Sequence, residues 1–373
     1  MAGIRHWRPE SSVRGPHVAR IDDIRALNGV FSDAFSERYR RDGMVGVRVP
    51  NLNPQIWRYA IEDAAQGALL WRDARGDIAA FNMVHQSGIE GWMGPLAVRT
   101  DQQGSGVGKA VVEHGVKWLQ ENGARVIGLE TMPRTMDNIG FYSGLGFAPG
   151  RLTITLSLDA TADDRAPELL GRLGAGDRAD VTDEARTLTG ALLAGYDFTR
   201  EIALTHELAL GDVVLLRERG AVVGFALCHT APLVESRVRE ELRVLKLVLA
   251  REDLLDPMVR ALRDFAKRSG TRRVAIRVQG EFGTVYQRLV VCGVCIIETQ
   301  VAQSIIFCGG SEVEADRFCM PDMQVTIGFW RKSRMYATFI FIVADIFFYD
   351  LMDEIQRPGF LFCRILDIVC IHF

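Results

Sequence analysis

The chain has 373 residues, 48% of them hydrophobic and 24% charged, with a net charge of −3. That length exceeds a single ordinary core and calls for two domains. The near-neutral, slightly acidic balance excludes the electrostatic footprint of a nucleic-acid or anionic-membrane binder. The start, "MAGIRHWRPESSVRGPH", has charge but no apolar core of signal-peptide length, so the expected location is cytoplasmic. Seven cysteines are an odd number and Cys228 stands far from the rest, so no disulfide framework is expected.

In chain order, "HVARI" (17–21) reads as a short strand and "DDIRALNGVFSDAFSERY" (22–39) as a helix capped by Asp22. The stretch 35–64 between this helix and the next strands mixes aromatic and charged residues. Residues 68–85 make two β runs around a charged, glycine-containing turn, hence a hairpin. A strand from Ile89 to Arg99 follows, although Pro95 would cost a central strand a ladder hydrogen bond. A helix from about Gly106 to Asn122 carries Val107, Ala110, Val111, His114, Trp118 and Leu119 on or near one face. "ARVIGLETM" is a buried strand, "TMDNIGFYSGLG" a short helix and "RLTITLSL" a closing strand. This order predicts an α/β fold, a mixed central sheet flanked by helices.

The pattern then repeats. "GALLWRDARGDIAAFNMVH" (67–85) aligns without a gap to "GDVVLLRERGAVVGFALCH" (211–229) at an offset of 144, so that His85 meets His229 and, further on, Tyr142 meets Tyr286. A repeat this long is a duplicated domain, not a solenoid. The expected division is residues 1–160, residues 161–300 as a second copy, and a tail 301–373 of different composition. The apolar run 335–352 is interrupted by Asp345 and Asp350 and falls short of a membrane span. Cys292 and Cys295 form a CxxC pair without a second pair at finger-like spacing, so no metal is expected.

The loop "TDQQGSGVGKA" (100–110) admits three phosphate-binding readings. A P-loop needs four residues between its first glycine and its Gly-Lys, then Ser or Thr; here three intervene and Ala110 follows. A dinucleotide fingerprint needs glycine where Lys109 stands. The third pattern, Q/R-x-x-G-x-G/A, is met by Gln103, Gly106 and Gly108. With "GPLAVRT" before the loop and "DNIGFYSGLGF" after it, the segment resembles the acetyl-CoA site of the GNAT family of N-acetyltransferases over about residues 16–158.

The resemblance implies a GNAT acyl-CoA N-acyltransferase fold, duplicated in tandem, that moves the acetyl group of acetyl-CoA to an amine. Gln103, Gly104, Ser105, Gly106, Val107, Gly108 and Lys109 would then line the pyrophosphate, mainly through backbone N–H groups at a helix N-terminus. In that family the fourth strand bulges and parts from the fifth, so Leu96, Ala97 and Val98 would offer backbone groups to the pantetheine arm. Tyr142 matches the tyrosine that protonates the departing thiolate, and Asn138, one helical turn earlier, could bond the arm. Glu130 is the leading candidate base, with Glu90 and His85 behind it. The second copy carries "AREDLLDPMVRAL" (250–262) where the glycine loop should be, and Glu252, Asp253 and Asp256 would repel a pyrophosphate. A degenerate copy without CoA is therefore expected. A non-catalytic acyl-CoA sensor or scaffold would use the same pocket, and the acceptor amine is not legible in the sequence.

Overall fold

The computed structural model describes residues 12–131, 136–279 and 295–305. Tyr286, Cys292 and the run 335–352 lie outside the described residues, as does the side chain of Cys295. The first half opens with β1 (Arg14–Val18), earlier than the expected 17–21, then α1 (Ile24–Arg41). A second helix, α2 (Pro54–Ala64), occupies part of the stretch that showed no clear pattern in the sequence. Its local cause is plain: Asn53 accepts from the Gln55 N–H at 3.0 Å, and Pro54 fills the first helical turn, where its missing N–H is harmless. β2 (Ala68–Arg72), β3 (Ile78–Ser87) and β4 (Glu90–Val98) form an antiparallel meander. After α3 (Val107–Glu121) come β5 (Val126–Thr131), α4 (Met136–Ser143) and β6 (Phe147–Asp159).

The second half has β7 (Glu168–Leu169), α5 (Ala175–Leu192), α6 (Thr199–Glu207), β8 (Gly211–Glu218), β9 (Ala221–His229), β10 (Glu241–Leu249), α7 (Leu255–Arg268), β11 (Arg273–Gln279) and β12 (Cys295–Ile305). The expected hairpin 211–229 is present: Arg219 and Gly220, both at positive φ, join Glu218 to Ala221. A two-residue hairpin loop of this hand matches the twist of its strands.

Among the described residues twelve strands form one sheet, in the order β1-β2-β3-β4-β5-β12-β6-β11-β10-β9-β8-β7. It is mixed: β4 with β5 and β10 with β11 are parallel, the other pairs antiparallel. β12 crosses the expected boundary at residue 300 and pairs with β5 on one side and β6 on the other, while β6 also pairs with β11. Strands from both halves thus stand side by side at the centre, with β4 and β12 on the two sides of β5.

Helices cover both faces. α3 lays Val107, Val111, Val112 and Leu119 on Val84, Met93, Ile127 and Leu129. Fully burying a side chain such as Leu119 contributes about 1.5–3 kcal/mol. On the opposite face α2 packs Trp57 edge-on to Phe81 of β3, ring centroids 5.4 Å apart. The Trp57 indole N–H finds Asn28 Oδ1 at 2.6 Å, so its polar end is not stranded. In the second half α7 covers a core containing Met258, Leu262 and Ile276, while α5 and α6 cover Phe225 and Leu227. Among the described residues no helix is long and apolar enough to cross a membrane.

Candidate active site

The site begins where β4 leaves β5. Among the described residues their parallel pairing runs from Glu90↔Val126 to Met93↔Leu129. Past that point Leu96, Ala97 and Val98 pair only with β3, opposite Asn82, Phe81 and Ala80, while Glu130 and Thr131 pair with β12. The register of β3 with β4 shifts between Asn82 and Val84, which places a bulge around Gly94-Pro95. The proline thus falls at a bulge, where a missing N–H costs no ladder bond.

The glycine loop closes the outer end of this gap. Gly104 and Gly106 take φ of +77° and +94°, a region L side chains rarely enter. Gly106 is the N-cap of α3 and no side chain caps that end. The first N–H groups of a helix have no intrahelical partner, so those following Gly106 are aimed outward with the positive end of the helix dipole behind them. Gln103 does not turn outward; its amide donates to the Val98 carbonyl at 3.0 Å and ties the loop to the end of β4. The Ser105 hydroxyl donates to the Gln102 carbonyl at 2.6 Å. Val107 is buried in the core, whereas Lys109 is exposed and 3.6 Å from Glu113. A Cβ on Gly108 would lie 3.6 Å from Phe141 and 3.7 Å from Val98, which brings the start of α3, the end of β4 and α4 together.

At the inner end, Asn138 donates to the Thr131 hydroxyl at 3.3 Å, fixing α4 against the end of β5. Tyr142, one turn on, packs edge-to-face with Phe141 and Phe147 at centroid distances of 5.1 and 5.9 Å. Burial pushes its phenol up to about 12. Glu130 is not an open carboxylate: it forms an ion pair with Arg277 of β11, both side chains almost wholly buried. Nothing in the residue pattern singled out Arg277.

The two weaker base candidates sit deeper, on the face covered by α2 and α6. Glu90 lies 3.6 Å from Lys246, and burial raises its carboxyl although Lys246 opposes the rise. His85 lies between Asp63, 2.8 Å from its Nδ1, and the Gly94 carbonyl, 2.8 Å from its Nε2. Burial works to raise the Asp63 carboxyl, but His85, Arg200 and Lys246 outweigh it and hold it below the usual range. Nearby, Ser87 donates to Glu201 of α6. Burial and the neighbouring Asp63 push Glu201 up to about 7.

A carboxyl whose folded pKa is raised favours the fold while protonated, and the advantage is lost as pH rises. For Glu201 that window runs from about 4.5 to about 7 and corresponds to about 3 kcal/mol. Glu201→Gln keeps an acceptor for Ser87 and removes the charge, so it should raise the melting temperature by a few degrees at pH 8 and by less at pH 5. Thermal melts at the two pH values check this; an equal or lower melting temperature at pH 8 would contradict it.

Among the described residues no group of three or more His, Cys, Asp or Glu is placed to hold a metal ion. In the second half β10 and β11 also pair only at their start, from Glu241↔Arg273 to Arg243↔Ala275 among the described residues. The outer end there differs. Leu254 and Leu255 are buried at the start of α7, Asp256 lies in its first turn, and Arg251 is bound to Glu218 and Asp253.

Comparison with known proteins gives this architecture its class. Residues 32–147 match the family model for acetyltransferases of the GNAT family. No curated protein matches the chain. Among solved structures, a Pyrococcus horikoshii protein provisionally described as an acetyltransferase is similar at 15% identity and TM-score 0.56, covering 84% of this chain and 94% of that one. The N-myristoyltransferase of Saccharomyces cerevisiae, with bound myristoylCoA, is similar at 10% identity and TM-score 0.55, with 81% and 85% covered. A tandem GNAT protein of the clavulanic acid biosynthesis pathway gives 11% identity and TM-score 0.52, with 80% and 100% covered. The chain has the GNAT acyl-CoA N-acyltransferase fold, a mixed sheet with flanking helices. Proteins of this fold generally transfer acyl groups from acyl-CoA to amines.

Proposed function

We propose that the chain is an N-acetyltransferase that moves the acetyl group of acetyl-CoA to a primary amine within a ternary complex. The observation that carries this reading is the uncapped, glycine-preceded N-terminus of α3 at the mouth of the gap between β4 and β5. The amides after Gly106 suit a pyrophosphate, and the backbone of Leu96, Ala97 and Val98 suits the amide groups of a pantetheine arm. Gln103 and Ser105 hold the loop; Lys109 adds positive charge from the exposed side of α3. Asn138 anchors α4 beside the arm.

The acceptor arrives as an ammonium, which has no lone pair to attack with. Its proton leaves through water, because the Glu130 carboxylate is held in a buried ion pair with Arg277 and is not open to take it. The amine nitrogen then bonds the acetyl carbonyl carbon and gives up a second proton to solvent, the C–S bond breaks, and the thiolate takes the proton of the Tyr142 hydroxyl. The phenol regains a proton from solvent, and one proton is released per acetyl group transferred.

We also read the chain as a tandem pair in which only the first copy holds CoA. The paired hairpins, the shared parting of parallel strands and the occupied start of α7 support that division. Carboxylates and buried leucines at α7 offer a pyrophosphate neither charge nor room. Titration of the full chain with acetyl-CoA should therefore saturate at one equivalent, and thiol should be released steadily when amines are added. Saturation at two equivalents would sink the single-site reading, and absence of binding the whole proposal. Binding without thiol release across a broad set of amines would make the protein an acyl-CoA sensor.

A further inference from the structure

Among the described residues, polar contacts join the second half to the first across the face opposite α3, and three of them involve buried side chains of the β3–β4 hairpin or the carboxylate that holds it. Ser87 of β3 donates to Glu201 of α6. Glu90 of β4 faces Lys246 of β10. The third is a chain of contacts: Arg200 of α6 donates to Asp63 at 3.0 Å and to the Gln86 carbonyl of β3 at 2.8 Å; Asp63 faces His85 Nδ1; and His85 Nε2 reaches the Gly94 carbonyl. Asp63 and His85 are almost completely buried.

A carbonyl oxygen can only accept, so the Nε2–H of His85 donates to Gly94. Gly94 is the first residue of β4 beyond its last paired residue with β5, Met93, and it opens the bulge from which Leu96, Ala97 and Val98 proceed. Turning that carbonyl would turn the peptide plane and redirect the backbone groups that follow it. Dropping a donor from a buried carbonyl is also costly, because no water replaces it. We infer that His85 is a positioning residue for the acetyl-CoA slot: it pins the Gly94 carbonyl and so sets the bulged end of β4, with Asp63 orienting its ring and Arg200 of the second half fixing Asp63. The inference rests on the acetyl-CoA reading above, and it gives the second half a task in the first half's site that requires no CoA of its own.

Two substitutions separate this role from plain packing. A glutamine amide nitrogen reaches about as far as Nε2 and can serve Gly94 but not Asp63, whereas an asparagine amide stands where Nδ1 does and can serve Asp63 but not Gly94. His85→Gln should lose more melting temperature, since it strips a buried carboxylate of a partner, yet bind acetyl-CoA nearly as the wild type does. His85→Asn should stay the more stable and bind about tenfold more weakly, the scale of one lost hydrogen bond. Calorimetry with acetyl-CoA and thermal melts on the full chain read both. Affinity that follows the melting temperature, or a folded His85→Asn with wild-type affinity, overturns the inference while leaving the acetyl-CoA reading intact. A wild-type chain that fails to bind acetyl-CoA removes both. If neither variant folds, nitrogen-15 spectra of the wild-type histidine rings decide: a protonated, slowly exchanging Nε2 on His85 is expected, and a bare Nε2 overturns the assignment.

Discussion

Gly106→Glu is expected to abolish acetyl-CoA binding in a protein that still folds. Gly106 is exposed, with no neighbouring atom within 4 Å of a Cβ built on it, so a side chain meets no steric block in the folded chain. It does meet backbone strain, because φ is +94°, and a non-glycine residue there costs about 1–2 kcal/mol. The electrostatic cost on the ligand is larger. One carboxylate about 4 Å from one phosphate charge costs about 4 kcal/mol at the effective dielectric of a protein surface, or roughly a thousandfold in affinity. Gly106→Asn separates the two effects, since asparagine tolerates this backbone region and carries no charge; it should fold like the glutamate variant and bind far better. Calorimetry on both, beside a thermal melt, makes the comparison. Unchanged affinity in a folded Gly106→Glu would remove the pyrophosphate from the start of α3, and with it the central claim.

What could be read from the sequence was local. The two hairpins, the strand with Pro95, the glycine loop and α3 each announce themselves within about twenty residues, by alternation, turn residues or helical periodicity. α2 had a local signal too, Asn53 followed by Pro54, but the surrounding mixture of aromatic and charged residues obscured it. The rest depends on pairings that no local pattern encodes. β12 enters between β5 and β6, next to strands that precede it by more than a hundred residues. Arg277 meets Glu130 across 147 positions, and Arg200 meets Asp63 across 137. Long-range contacts of this kind are set by how the halves pack, not by propensity. His85 shows the boundary well. Its counterpart His229 is also buried, with Thr205 2.9 Å from its Nε2. Only the structure reveals that the first histidine reaches the Gly94 carbonyl at the parting of β4 and β5.

Tyr142→Phe should lower turnover by roughly 10²–10⁴-fold, the scale of losing general-acid assistance. The substitution is close to a single-atom deletion in its surroundings. The ring stays between Phe141 and Phe147, and its contacts with the core beneath α3 survive, so neither folding nor acetyl-CoA affinity should change much. The thiolate is then left to take its proton from water. Burial of the phenol, which pushes it up to about 12, keeps the donor protonated across the whole physiological range. The sign has a consequence for the pH profile: raising pH from 7 to 10 does not deprotonate this acid, so Tyr142 contributes no falling limb there, and a limb centred below 10 must come from another group. Single-turnover thiol release at saturating acetyl-CoA and amine isolates the chemical step from product release. A rate for Tyr142→Phe within a few-fold of the wild type under those conditions would confine the residue to packing, and the proton for the leaving thiolate would have to come from elsewhere in the gap between β4 and β5.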